Sequence, residues 1–250
     1  MRTLITTVVA GTVLLVGTAG ASLTPEACLA RKLKEWGKLR KCQAAENAKA
    51  LEGKPTNLAK CQAKLDMKLA SLSQQAADAG IACRYQVNGD GTATDYDTGL
   101  MWEQKTDDGS VHDKDNTYSW TTLSGGTKPN GTAFTDFLGM LNDGSSTYMT
   151  IVAGESPSGC FAGHCDWRMP SIGELRTIVL APDLACDSPC IDQTVFGPTA
   201  VDNYTRSATT APLEPPNEAT VAWDIHFFNG GMSGGGKWLA EYVRAVRSGL

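Results

Sequence analysis

Apolar positions in this chain follow two different rhythms. Leu29, Leu33, Trp36 and Leu39 recur at three- and four-residue intervals, as do Leu58, Cys61, Leu65, Leu69, Leu72 and Ala76. That spacing places each set on one face of a helix. Thr24-Pro25-Glu26 opens the first helix with an N-cap, a proline at its first position and an acid in its first turn. Glu52-Gly53-Lys54-Pro55 breaks the run, Thr56-Asn57 caps a second helix, and Gly80 stops it. Neither helix is stable alone in water, so the two are expected to pair as an antiparallel hairpin.

From Arg84 onward, short apolar and aromatic runs alternate with clusters of Gly, Asp, Asn, Ser and Thr. Only residues 132–141 and 171–180 read as helices, the latter opened by a Ser171/Glu174 capping box. The rest reads as short antiparallel strands and long loops. The expected fold class is therefore α+β, a helical hairpin over 22–83 followed by a larger domain over 84–250.

Residues 1–21 are set apart from both. Met1-Arg2, an apolar run over 4–16 and Ala19-Gly20-Ala21 form the pattern of a secretory signal peptide, cleaved after Ala21. The run is shorter than the roughly 20 residues that span a bilayer, and no other segment is long enough. The protein is expected to be secreted, periplasmic or displayed on a bacterial surface, without a transmembrane anchor.

Export changes the meaning of the eight cysteines, because disulfides persist outside the cytosol. Cys42 and Cys61 flank the hairpin turn, while Cys28 and Cys83 lie near its outer ends. Nested bridges 28–83 and 42–61 follow, although four cysteines allow three pairings. Cys160–Cys165 and Cys186–Cys190 read as two loop staples. Charge divides the chain at the same place: the hairpin is net positive, and the remainder is acidic enough to bring the total to −5. Such a domain would repel phosphate, which argues against nucleic acid as a partner. The hairpin lysines read as a solvated face, or as a surface for an acidic partner or for the acidic second unit.

Three motifs invite metal or phosphate chemistry. Residues 87–102, VNGDGTATDYDTGLMW, resemble a calcium loop, but aligning Gly91 to the loop's sixth position puts Gln86 where an aspartate belongs. A hairpin with a turn at Asn88-Gly89-Asp90-Gly91 is the better reading. Gly231 to Lys237 has P-loop spacing, but Trp238 stands where a Ser or Thr should meet magnesium. A glycine-rich loop between strands is expected instead. Cys160, His164 and Cys165 lack an adjacent fourth zinc ligand. Asp107-Asp108 sits in a polar loop, and the other histidines, His112 and His226, accompany no nucleophile elbow. No catalytic residue, metal or cofactor is expected.

Three stretches occur together in a recognisable order: Asn88 to Asp95 followed by Thr98-Gly-Leu-Met-Trp102; Asp166-Trp-Arg-Met-Pro170 followed by Glu174-Leu175; and Phe228-Asn-Gly-Gly231, Lys237 and Tyr242-Val-Arg-Ala-Val-Arg247. Over residues 84–248 the chain resembles the DUF1566 family, named for the C-terminal domain of the Legionella collagen-like adhesin Lcl. The resemblance implies a C-type-lectin-like fold related to the formylglycine-generating sulfatase-modifying factors. It also implies a surface or secreted binding role, the named member being an adhesin for sulfated glycans. Two features depart from the pattern. Tyr204 precedes Thr205-Arg206-Ser207 rather than Trp-Ser-Ser-Thr, and a helical hairpin replaces the collagen-like stalk.

On that resemblance Arg168 pairs with a carboxylate and, with Trp167, locks the helix after Ser171 to the sheet. Trp102, Val243 and Val246 become core residues of neighbouring terminal strands. The long-loop side is the binding surface, where Trp238 would stack on a sugar ring and Asp224, Asn229 and Lys237 would supply polar contacts. The expected function is a non-enzymatic module recognising a carbohydrate or a surface protein. The alternatives are an oxidase of the formylglycine-generating type, which needs reactive cysteines late in the domain, and an envelope protein assembling through its basic hairpin.

Overall fold

The computed structural model describes residues 23–143, 159–180, 186–212 and 219–250; the expected leader lies outside them. The hairpin consists of α1 (Pro25–Leu51) and α2 (Leu58–Asp78). Thr24 Oγ1 accepts the Ala27 amide at 3.2 Å, and Asn57 Oδ1 accepts that of Lys60 at 2.9 Å. Both helices thus start at their expected caps. Cys28–Cys83 and Cys42–Cys61 close the hairpin as a nested pair, and Cys160–Cys165 and Cys186–Cys190 staple two loops.

The buried face of α1 is rotated from the one its leucines mark. Leu33 is 43% exposed, whereas Lys32 is fully buried between Cys28 and Trp36. The Lys32 ammonium donates to the Ser73 hydroxyl at 2.8 Å, the Cys83 carbonyl at 2.5 Å and the Asp97 carboxylate. A buried cation is tolerated when every proton finds an acceptor. Beside it, Trp36 Nε1 donates to the Tyr96 carbonyl at 2.9 Å, and its ring lies against Gly99. The hairpin is therefore docked on the larger unit through Trp36 and through Lys32, which Asp97 neutralises.

A four-stranded antiparallel sheet has the order β1 (Tyr85–Val87), β2 (Thr92–Asp95), β3 (Leu100–Glu103) and β9 (Val246–Ser248). Residues 88–91 form the expected hairpin turn. Asn88 donates its side-chain amide to the Thr92 and Thr94 hydroxyls, and the Asp90 carboxylate accepts the Thr92 amide and hydroxyl. Trp102 faces Val246 across the β3–β9 pair that closes the domain. The second sheet has the order β4 (Thr117–Ser119), β8 (Ala240–Tyr242), β5 (Thr205–Thr210), β6 (Val221–His226) and β7 (Gly231–Gly236). Its neighbours are antiparallel except β5 and β8, which meet in parallel at Thr205 and Tyr242.

Several local expectations shift. Residues 132–141 form a π-helical turn, Ala133–Phe137, that runs into α3 (Leu138–Asp143). The Ser171 capping box opens α4 (Ile172–Thr177), where Arg168 meets Glu174 at 2.6 Å. A 3-10 turn at Phe161–Gly163 and α5 (Gln193–Phe196) were not expected, being too short to show periodicity. The alternating stretch 242–247 is two strand ends in different sheets rather than one strand. Val243, Arg244 and Ala245 cross between them, all buried.

The larger unit's core falls into two clusters. Trp102, Leu175, Ile178, Phe196, Ile225 and Val246 form one cluster. Phe137, Leu141, Trp167, Met169, Val243 and Ala245 form the other. Trp102 is fully buried and meets Phe196 edge-on at 6.3 Å. Among the described residues, no helix is long and apolar enough to cross a membrane.

Candidate functional site

Residues 231–236 form β7, the edge strand of the larger sheet, where a loop was expected. All six pair in register with β6. The glycines matter because of what packs beneath them. A methyl group at Gly235 would lie 2.4 Å from Asp224 Oδ2 and 2.5 Å from Glu241 Oε1. Between these carboxyls stands the fully buried Arg206, 3.3 Å from Asp224 and 2.8 Å from Glu241. Its guanidinium also donates to the Gly235 and Gly236 carbonyls, at 2.8 and 3.1 Å. Arg206 thereby clamps the end of β7 over the sheet.

One cation faces two carboxyls in a site closed to water. Burial, helped by the Glu241 charge and opposed by Arg206, pushes Asp224 up to about 8. Burial raises Glu241 as well, and the two carboxyls hydrogen-bond to each other. Asp224 therefore favours its protonated form at neutral pH. Lys237 is also buried, with its ammonium 2.8 Å from the Thr210 hydroxyl and 4.7 Å from the centre of the Trp120 ring. Burial, then the Arg206 charge, lowers its pKa.

The four residues expected to bind a ligand are thus divided. Asp224 and Lys237 lie inside, so the polar contacts assigned to them are made to the protein itself. Asn229 and Trp238 are exposed, at opposite ends of β7. Six residues of strand hold those ends about 20 Å apart. Asn229 accepts the Gly231 amide at 2.9 Å, which shapes the β6–β7 turn. Trp238 is 41% exposed and rests its ring on Gly236, where a methyl would lie 2.6 Å from it.

Next to Asn229 stands an aromatic stack that sequence reasoning missed. Tyr204 and His226 lie 4.7 Å apart at 29°, and His226 is 5.9 Å from Phe228, itself 54% exposed. Phe228 and Asn229 were legible in the Phe-Asn-Gly-Gly motif. Tyr204 belongs to a distant segment and carries no local signal.

Two other clusters make their contacts within the protein. Glu103, fully buried, meets Lys105 at 3.0 Å, His112 Nδ1 at 2.8 Å and the Ala245 amide at 2.9 Å. Burial opposes its ionisation, but Lys105 and His112 outweigh that and keep its pKa below the ordinary glutamate value. Arg244 braces the same region through the Glu103 and Phe196 carbonyls, both at 2.8 Å. The carboxylates of Asp107, Asp113 and Asp115 converge within 4.8 Å. Asp113 accepts the Gly109 and Asp115 amides, and Lys114 lies between Asp107 and Asp115, so this cluster is closed by its own loop.

The three ordered motifs run through these strands, and a family model described as the Lcl C-terminal domain matches residues 91–247. The chain belongs to the Lcl C-terminal domain family. The match takes in both sheets from β2 to β9 and leaves the α1–α2 hairpin outside it. No curated protein and no solved structure matches the chain. Family membership is compatible with a surface or secreted module, and four disulfides are the chemistry of an oxidising compartment.

Proposed function

We propose that this Lcl-type domain is an exported, non-enzymatic binding module that takes carbohydrate on the rim of β7. The observation that carries the reading is the pair of solvent-open rings at the strand's two ends, Phe228 and Trp238. Each is seated rather than free: Phe228 continues the Tyr204–His226 stack, and Trp238 rests on Gly236. Pre-seated rings lose little freedom on binding and offer flat apolar faces to the C–H side of a sugar. Asn229 supplies an exposed amide beside the first ring. Asp224, Glu241, Arg206 and Lys237 serve the site from below, by fixing β7. A C-type-lectin-like relationship and a signal-directed export route are part of this proposal.

The oxidase alternative needs a reactive thiol, whereas all eight cysteines are paired. A surface protein could meet the same rim, and a glycan array on the disulfide-bonded protein separates the two. We expect glycan binding that falls about five- to tenfold in each of Phe228→Ala and Trp238→Ala, with unchanged thermal melting. Undiminished binding by the double variant would refute the assignment.

A further inference from the structure

We infer that a groove along the α1–α2 hairpin docks an acidic amphipathic helix from a partner protein. A concavity of about 530 Å³ runs over Leu39, Leu65 and the Cys42–Cys61 bridge, and one of about 300 Å³ continues it past Leu72. Glu35, Lys68 and Ser71 line both, so the two form one channel. This flank is separate from Lys32 and Trp36, which hold the hairpin to the sheets.

The floor is apolar and the rim is basic. Arg31, Lys34 and Lys38 stand along α1, and Lys64 and Lys68 along α2, all exposed. Lys38 pairs with Glu35, the one carboxylate in the groove, at 2.6 Å. Among the described residues, Arg31, Lys34, Lys64 and Lys68 have no carboxylate partner. Met67, 65% exposed, adds an adaptable apolar edge.

The occupant must bring apolar atoms to the floor and negative charge to the rim. A second copy of the hairpin fails on charge, since like rims would face each other. A linear polyanion satisfies the rim and leaves the floor unfilled, and a flat bilayer does not reach a floor recessed between two helices. A helix with leucines at i, i+3, i+4 and i+7 and glutamates beside them meets both needs. It would pack as a third helix in the groove of the pair. From Arg31 to Cys42 the channel follows α1 for about 16 Å, or three helical turns.

The probe is a synthetic helix of about 14 residues with that leucine stripe and glutamates elsewhere. It is titrated by fluorescence anisotropy against the full disulfide-bonded protein. Controls are a scrambled peptide of the same composition, a heparin fragment and phosphatidylglycerol vesicles. We expect the helix to bind at least tenfold more tightly than its scramble, and to weaken as salt rises. Lys64→Glu with Lys68→Glu should cost about tenfold or more at low salt, with melting temperature unchanged. Met67→Glu should weaken binding separately, by loss of apolar contact. Equal binding of helix and scramble, preference for heparin or vesicles, or full retention by the charge-reversed variant would each overturn the proposal.

Discussion

Replacing Asp224 by asparagine should remove a pH dependence of stability that the buried acid pair builds into the sheet. Asp224 lies 1% exposed beneath Gly235, 3.3 Å from Arg206 and hydrogen-bonded to Glu241. Its pKa rises from 3.8 to about 8, chiefly because burial penalises the charged form. A carboxyl with a raised folded-state pKa keeps a proton that the unfolded chain has released. The contribution of Asp224 to stability is therefore fullest below the unfolded value near 4, and declines as pH climbs toward the folded value near 8. At about 1.36 kcal/mol per unit, the interval from about pH 5 to about pH 8 sets a ceiling of about 4 kcal/mol on the loss. Asparagine has the same shape, stays neutral, and its amide can still donate to Glu241.

Urea unfolding followed by tryptophan fluorescence, with disulfides intact, measures the slope. The wild type should lose about 2–4 kcal/mol across that interval, and Asp224→Asn less than about 1 kcal/mol. The variant should then be the more stable protein at about pH 8 and above. His112, His164 and His226 are common to both proteins, so the difference between the curves belongs to the acid pair. A flat or rising wild-type curve would refute the reasoning, as would a variant that keeps the full slope.

Two further substitutions test neighbouring claims. Gly235→Ala should destabilise the domain by about 1–3 kcal/mol in urea titrations, because the new methyl would press on both buried carboxyls. An unchanged midpoint would show that β7 can lift away freely. Lys32→Met should cost about 1–3 kcal/mol by leaving the Cys83 carbonyl unmatched, and should speed proteolysis between hairpin and sheets. Wild-type resistance in that variant would assign docking to Trp36 alone.

Features set by neighbouring residues are legible in the chain itself. Thr24, Asn57 and Ser171 cap the helices they precede, the Asn88–Gly91 turn joins β1 to β2, and the four disulfides pair as their spacings imply. The candidate surface is half legible: Asn229 and Trp238 are exposed, as their turns require. Asp224 and Lys237 go against expectation because alternation along one strand does not reveal that a glycine strand and Arg206 close over them.

The sequence by itself determined where the capped helices begin, where the first hairpin turns, how the two short loops are stapled, and which family order its motifs follow. Those choices depend on contacts within a few residues, or on loops short enough to close in one way. Tertiary structure alone decided which charges go inside. Lys32 is buried because Asp97 waits 65 residues away, and Arg206 because Asp224 and Glu241 reach it from two other strands. Burying a charge is favourable only when its partners arrive, and their arrival is a property of the folded chain.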